Sequence, residues 1–212
     1  MRPGPVYFLH VSSSGGSTIC RWAQQQRCAR VPSCGANCNL NCAHPWDWRS
    51  GCHPPACPLA TRSCKSPHRP GCTGLHRYLQ RHNITFFASE TMLHRKEDDA
   101  LCAEFRHVAL LRHPVERVRR QLERMSSTPN IRLREMLSSP FVFNTSERTS
   151  LMGTPAVNNY LARLLLGSAA FFLPLRALND SHCDVASDLL ARFEVVVPLD
   201  QVTRLRQLHV AA

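Results

Sequence analysis

Residues 8–20 of the chain read FLHVSSSGGSTIC. An apolar run ends at Val11, three serines and a glycine pair follow, and a helix-like segment begins near Ser17. A strand, a Ser/Gly-rich turn and a helix in this order present backbone N–H groups and the positive end of a helix dipole to an anion. The stretch predicts either a phosphate-binding loop or a turn whose glycines serve geometry alone. The sequence has no G-x-x-x-x-G-K-[ST] string, which argues against an ATPase-type loop.

Strand-like and helix-like segments alternate along the rest of the chain. Because the predicted strands are apolar throughout, we expect an α/β fold in which a parallel sheet is flanked by helices. The strands are predicted over 5–11, 84–89, 107–112 and 194–197, and the helices over 17–30, 74–82, 115–125, 130–137, 155–166 and 184–193.

Residues 31–74 differ from the rest of the chain, because they are rich in proline, glycine and cysteine and have no sustained period. We interpret them as an irregular, crosslinked insertion within a single domain that spans residues 1–212. The helical pattern of the last residues stops without an end signal, so we expect that this domain is incomplete at its C-terminus.

The chain has 11 cysteines, most of them between Cys20 and Cys72. No C-x2-C pair occurs, so disulfides fit the spacing better than zinc and we expect no metal. Glycosylation sequons begin at Asn83, Asn144 and Asn179, which also favours an oxidising, secretory compartment. A cysteine-rich metal-binding module stays open as an alternative.

The formal net charge is +11 and the sequence pI is about 9.6. A basic surface favours polyanionic partners, which include nucleic acids, sulfated or phosphorylated glycans, nucleotides and anionic membranes. No run of about 20 apolar residues occurs, so we expect no membrane-spanning helix in this sequence.

Two segments resemble the signatures of the carbohydrate sulfotransferases that use 3′-phosphoadenosine 5′-phosphosulfate (PAPS). FLHVSSSGGST (8–18) resembles that family's loop, F-x-H-I-P-K-T-G-G-T-[ST], and LLRHPVERVRRQLE (110–123) resembles its 3′-phosphate segment, L-R-[DN]-P-[VI]-E-R-x-x-S. NNYLARLLLG (158–167) and FEVVVPLDQVTRLRQL (193–208) are similar to further stretches of the family.

The resemblance implies a P-loop-like sulfotransferase fold and transfer of a sulfonate group from PAPS to a carbohydrate hydroxyl. It implies a base near the sulfonate, for which Glu90 and His94 are the candidates. The residues that it implies for binding the co-substrate PAPS are Ser13, Ser14, Gly15, Gly16, Ser17, Thr18, Arg112 and Arg120.

The family's loop lysine is replaced here by Ser13, and the serine of its second signature by Arg120. A lysine stabilises the charge that develops on the leaving oxygen, and a serine hydroxyl brings no charge. A protein that keeps the fold and binds only a nucleotide or polyanion is therefore the second hypothesis. For the enzyme, the resemblance implies a glycan or proteoglycan acceptor, no nucleic acid, and the Golgi lumen, with a type II membrane anchor outside this chain.

Overall fold

The computed structural model describes residues 4–26, 29, 31, 37–40, 72–90, 93, 101–126, 158–171, 173 and 176–202. The helix predicted over 130–137 and most of the predicted cysteine-rich insertion lie outside these residues.

In the described part of the chain, four strands form one parallel sheet in the order β2-β1-β3-β4. They are β1 Val6–Leu9, β2 Phe86–Ser89, β3 Arg106–Leu111 and β4 Val195–Pro198. Leu9 at the end of β1 pairs with Ser89 on β2 and with Ala109 on β3, so these three strands run towards the same edge of the sheet. The predicted α/β class with a parallel sheet and flanking helices is confirmed.

The helices largely follow the predicted segments. They are α1 Gly16–Gln25, α2 Cys72–Arg81, α3 Pro114–Ser126, α4 Tyr160–Leu166, α5 Ser168–Phe171 and α6 Asp180–Ala191. Helix α1 ends earlier than predicted, and α6 begins four residues before the predicted start at residue 184 because Asn179 caps it. The Asn179 side chain accepts a hydrogen bond from the backbone N–H of His182, and the His182 ring accepts one from the Asn179 backbone N–H.

The chain divides into two compact units, and the first comprises residues 1–10, 15–91 and 102–109. Its core is aromatic: the Tyr7 ring meets Phe87 edge-on at 5.3 Å between centroids, and Phe87 meets Phe105 at 5.5 Å. Burial raises the pKa of Tyr7 to about 12, although a hydrogen bond with Ser89 acts in the opposite direction. Apolar strands thus form the interior, as their sequence indicates.

Among the described residues, two disulfides crosslink the first unit. Cys20 on α1 is bonded to Cys38, and Cys72 at the start of α2 is bonded to Cys102, which precedes β3. For these four residues the prediction of disulfides is confirmed. Cys72 and Cys102 lie close to Glu104 in an arrangement of metal-ligating residue types, but both sulfurs are already in a covalent bond.

The second unit comprises residues 11–14, 92–101 and 110–212. Helix α4 packs against α5 and α6, and the backbone N–H of Leu93 donates to the carbonyl of Leu164 at 2.7 Å. Its apolar core includes Leu110, Tyr160, Leu164, Leu165, Phe171, Leu189 and Phe193. Strand β4 lies at one edge of the sheet, and its side chains are largely exposed. Within the described residues, none of the helices has the length and hydropathy needed to cross a membrane.

Candidate functional site

The loop between β1 and α1 makes a tight turn followed by a helix start. The backbone N–H of Ser14 donates to the carbonyl of Val11 at 3.1 Å, and Ser13 inside this turn has φ of 63°. Gly15 is the N-cap of α1 with φ of 86°, in the left-handed region that a residue with a Cβ adopts only at a cost. Gly15 therefore allows the backbone to change direction between the turn and the helix.

The N-terminus of α1 has the features of an anion-binding helix start. Because its N-cap is a glycine, no capping side chain occupies the first amides, and its first turn has no acidic residue. Within the described residues, the backbone N–H groups of Gly15, Gly16 and Ser17 have no hydrogen-bond acceptor, while those of Thr18 and Ile19 donate to the carbonyl of Gly15. Unpaired amides at the positive end of a helix dipole attract negative charge.

The serines of the turn belong to the second unit and lie against α3. Ser13 Oγ donates to Gln121 Oε1 at 2.7 Å, and Ser12 Oγ donates to the same atom at 3.4 Å. Ser14 is 1 % exposed, and its hydroxyl has no hydrogen-bond partner in the described part of the chain. A buried polar group is normally paired, so the Ser14 hydroxyl is free to donate to a group that enters this turn.

Arg112 follows β3 and belongs to the same unit as these serines. Its side chain is half-buried and, among the described residues, its guanidinium has no hydrogen bond and no ion pair. Burial lowers the pKa of Arg112, and the positive charge of Arg120 lowers it further, partly opposed by Glu116. Because desolvation and nearby positive charge both disfavour a charged guanidinium, an anion that binds beside Arg112 stabilises it.

Arg120, which the resemblance assigns to PAPS binding, forms an ion pair within α3. Its side chain is exposed and its Nη1 atom pairs with Glu123 Oε2 at 3.0 Å. The neighbouring Arg119 pairs with Glu116 and Glu123, so the outer face of α3 carries a network of exposed ion pairs. Such pairs contribute little stability, and Arg120 can exchange its partner for a ligand at small cost.

Two further residues of the quoted segments have structural roles in the second unit. The Arg117 guanidinium lies over the Tyr160 ring at 4.5 Å from the centroid, a cation–π contact that joins α3 to the start of α4. Burial is the main cause that lowers the pKa of Arg117. The segments 110–123 and 158–167 are thus joined by this packing contact.

The first unit holds a separate polar cluster at the ends of β1 and β2. Glu90 directly follows β2, and its Oε2 atom lies 3.8 Å from His10 Nδ1. The same carboxylate oxygen accepts a hydrogen bond from Asn37 Nδ2 at 3.4 Å, and Asn37 Oδ1 accepts one from Ser17 Oγ at 2.6 Å. His10 is buried against Gly16, where a Cβ would overlap its imidazole ring.

The structure thus gives each described candidate a definite place, and it adds three residues. Ser13 lies against Gln121, Ser17 reaches Glu90 through Asn37, and Thr18 is exposed on the first turn of α1. His94 lies outside the described residues. Sequence reasoning missed Gln121, Asn37 and His10 as contacts of the site, although His10 was part of the quoted motif.

Comparisons with known proteins add no assignment to this geometry. No protein-family model matches the chain. Neither the curated proteins nor the solved structures searched contain a significant match.

Proposed function

We propose that the chain is a sulfotransferase that moves the sulfonate group of PAPS to a hydroxyl group of a glycan. The observation that carries the proposal is the partly buried Arg112 side chain, which has no hydrogen bond or ion pair among the described residues and lies in the positive field of Arg120. A nucleotide with a 3′-phosphate supplies the anion that this position lacks. The amides at the start of α1, which have no acceptor within the described residues, support a second phosphate-type group at that helix start.

The chemistry assigned to the residues follows from their type. Glu90 accepts the proton of the acceptor hydroxyl as the hydroxyl oxygen forms its bond to sulfur. The bond between sulfur and the bridging phosphate oxygen breaks, and that oxygen leaves with the electron pair as part of adenosine 3′,5′-bisphosphate (PAP). The loop amides stabilise the charge on the leaving phosphate. The disulfides of the first unit and the exposed sequon at Asn83 fit the proposed Golgi lumen.

One observation favours the second candidate, a protein that binds the nucleotide and does not catalyse. Ser13 stands where the family has lysine, and its hydroxyl is directed to Gln121. No side chain of the described turn therefore brings a positive charge to the leaving oxygen. Binding and transfer must be measured separately to decide between the two candidates.

The proposal is tested by titrating the protein with PAP in a calorimeter. Arg112→Ala is expected to weaken PAP binding about 100-fold, because a charge-assisted contact to phosphate contributes about 1.5–3 kcal/mol. Arg119→Ala removes an equal charge from the exposed face of α3 and is expected to change the affinity less than about threefold. If the wild-type protein does not bind PAP, or both variants bind equally, the proposed site is wrong.

Catalysis is tested with radiolabelled PAPS and a panel of glycans. We expect Ser13→Lys to raise the transfer rate by about 10²–10³, since it restores a cation beside the leaving oxygen. Ser13→Ala loses the bond to Gln121 without adding a charge and is expected to give no gain. PAP binding without transfer in the wild type, followed by transfer in Ser13→Lys, identifies the chain as the binding-only form. A Ser13→Lys rate no higher than that of Ser13→Ala contradicts the role given to the missing cation.

A further inference from the structure

The short segment 37–40 is tied to two elements of the first unit. Cys38 is disulfide-bonded to Cys20 on α1, and the Cys38 carbonyl accepts a hydrogen bond from the backbone N–H of Ala88 on β2 at 2.9 Å. The next residue, Asn39, forms a parallel bridge with the same Ala88. The backbone beside Asn37 is therefore fixed between the helix that follows the loop and the strand that precedes Glu90.

The Asn37 side chain joins a residue of the loop to the candidate base. Its Oδ1 atom accepts from Ser17 Oγ at 2.6 Å, and its Nδ2 atom donates to Glu90 Oε2 at 3.4 Å. An ionised carboxylate can only accept hydrogen bonds, so the amide must present its nitrogen to Glu90 and its oxygen to the Ser17 hydroxyl. The polarity of the three groups fixes the orientation of the amide.

The two oxygens of the Glu90 carboxylate have different environments. Oε2 faces both Asn37 Nδ2 and His10 Nδ1, while Oε1 accepts no hydrogen bond within the described residues. His10 is also the only titratable side chain of the described chain in contact with this carboxylate. The side chain of Glu90 is 18 % exposed, so the carboxylate is held through one oxygen and is still reached by solvent.

We propose that Asn37, anchored by the Cys20–Cys38 disulfide, is the positioning residue that orients Glu90 for proton abstraction. The inference rests on the proposed function, since it gives Glu90 the role of base. It adds a residue from outside the resembling segments and a role for the disulfide. The Asn37 amide then fixes the position of Glu90 relative to Ser17, the residue that the resemblance assigns to the phosphosulfate.

Steady-state kinetics test the role of Asn37. Asn37→Ala is expected to lower kcat about 10–100-fold and to change KM for PAPS less than about threefold, because a misplaced base slows the chemical step without removing a phosphate contact. The matched control is Asn83→Ala, an exposed asparagine that precedes β2 at the strand end opposite Glu90, and its kcat is expected to stay within about twofold. An Asn37→Ala variant with wild-type kcat overturns the proposal.

The disulfide is tested with two paired variants. Cys20→Ala/Cys38→Ala is expected to reproduce the kcat loss of Asn37→Ala, while Cys72→Ala/Cys102→Ala removes a second described crosslink of the same unit and keeps kcat. Equal kcat losses in both pairs overturn the specific role of Cys20–Cys38. Since Asn37→Ala retains both disulfides, it decides the role of Asn37 even if a cysteine variant does not fold.

Two readouts separate this inference from the proposed function. In a double-mutant cycle, Asn37→Ala is expected to cause no further loss of kcat in a Glu90→Gln background, because Asn37 acts through Glu90. Crystal structures of the wild type and Asn37→Ala are expected to place the Glu90 carboxylate differently, by about 1 Å or more. An additive cycle or an unmoved carboxylate overturns the inference. If no acceptor is sulfated at all, the proposed function fails, and the two crystal structures still decide whether Asn37 orients Glu90.

Discussion

Replacing Arg163 by methionine is expected to lower the free energy of unfolding by about 3–5 kcal/mol. The side chain is 0 % exposed, and its guanidinium donates to the backbone carbonyls of Asn158, Ala170, Phe171 and Leu173 and to the Asn158 side chain, over 2.7–3.1 Å. Burial lowers the pKa of Arg163. Methionine fills a similar volume but removes the donor from these acceptors, of which the Ala170 carbonyl keeps a second bond from the backbone N–H of Leu173, and each unsatisfied buried group costs about 1–3 kcal/mol.

The measurement is urea unfolding followed by circular dichroism, with Arg119→Met as the matched control. Arg119 is about half exposed and makes only surface ion pairs, so its replacement is expected to cost less than about 1 kcal/mol. Arg163→Lys provides a second comparison, because it keeps the charge and loses the planar set of donors. A cost for Arg163→Met as small as that of Arg119→Met contradicts the role of Arg163 in joining α4 to α5.

Gly16→Ala is expected to abolish measurable PAP binding, with a loss of at least about 100-fold, and to destabilise the fold by about 1–3 kcal/mol. A Cβ at this position overlaps the imidazole of His10. That ring cannot move away easily, because it is 4 % exposed and stacks on Phe8 with 5.9 Å between centroids. The start of α1 must shift instead, and its amides with it.

The double variant His10→Ala/Gly16→Ala isolates this cause. Truncating His10 removes the overlap, so the double variant is expected to recover part of the stability and of the PAP affinity that Gly16→Ala loses. Calorimetry and thermal unfolding measure the two quantities. If His10→Ala adds its own loss to that of Gly16→Ala, the contact between the two residues is not the reason for a glycine at position 16.

Much of the fold could be predicted from the sequence, because apolar runs and turn signals are local. The runs at 5–11, 84–89 and 107–112 correspond to strands that lie side by side in the middle and at one edge of the sheet. The run EVVV (194–197) was equally apolar, yet β4 is an edge strand with exposed side chains. A run of valines encodes a strand, but its position in the sheet depends on pairing with distant segments.

The contacts of the candidate site could be predicted only in part. The glycine loop and Arg112 are visible as motifs, whereas the pairs Ser13–Gln121 and Asn37–Glu90 join residues 108 and 53 positions apart. The sequence could not predict that Cys20 is bonded to Cys38, because the spacing of the cysteines allows many pairings. In the sequence, Arg163 is a charged residue within an apolar segment, and only the tertiary structure reveals the carbonyl groups that it binds.

A guanidinium that has no carboxylate partner within the described residues takes an anion from the solvent. Arg112 will therefore recruit sulfate or phosphate from common purification buffers, and such ions stabilise the folded protein in proportion to the logarithm of their concentration. Competition of this kind would mask the proposed nucleotide binding, so calorimetry on this chain belongs in a buffer such as Tris chloride.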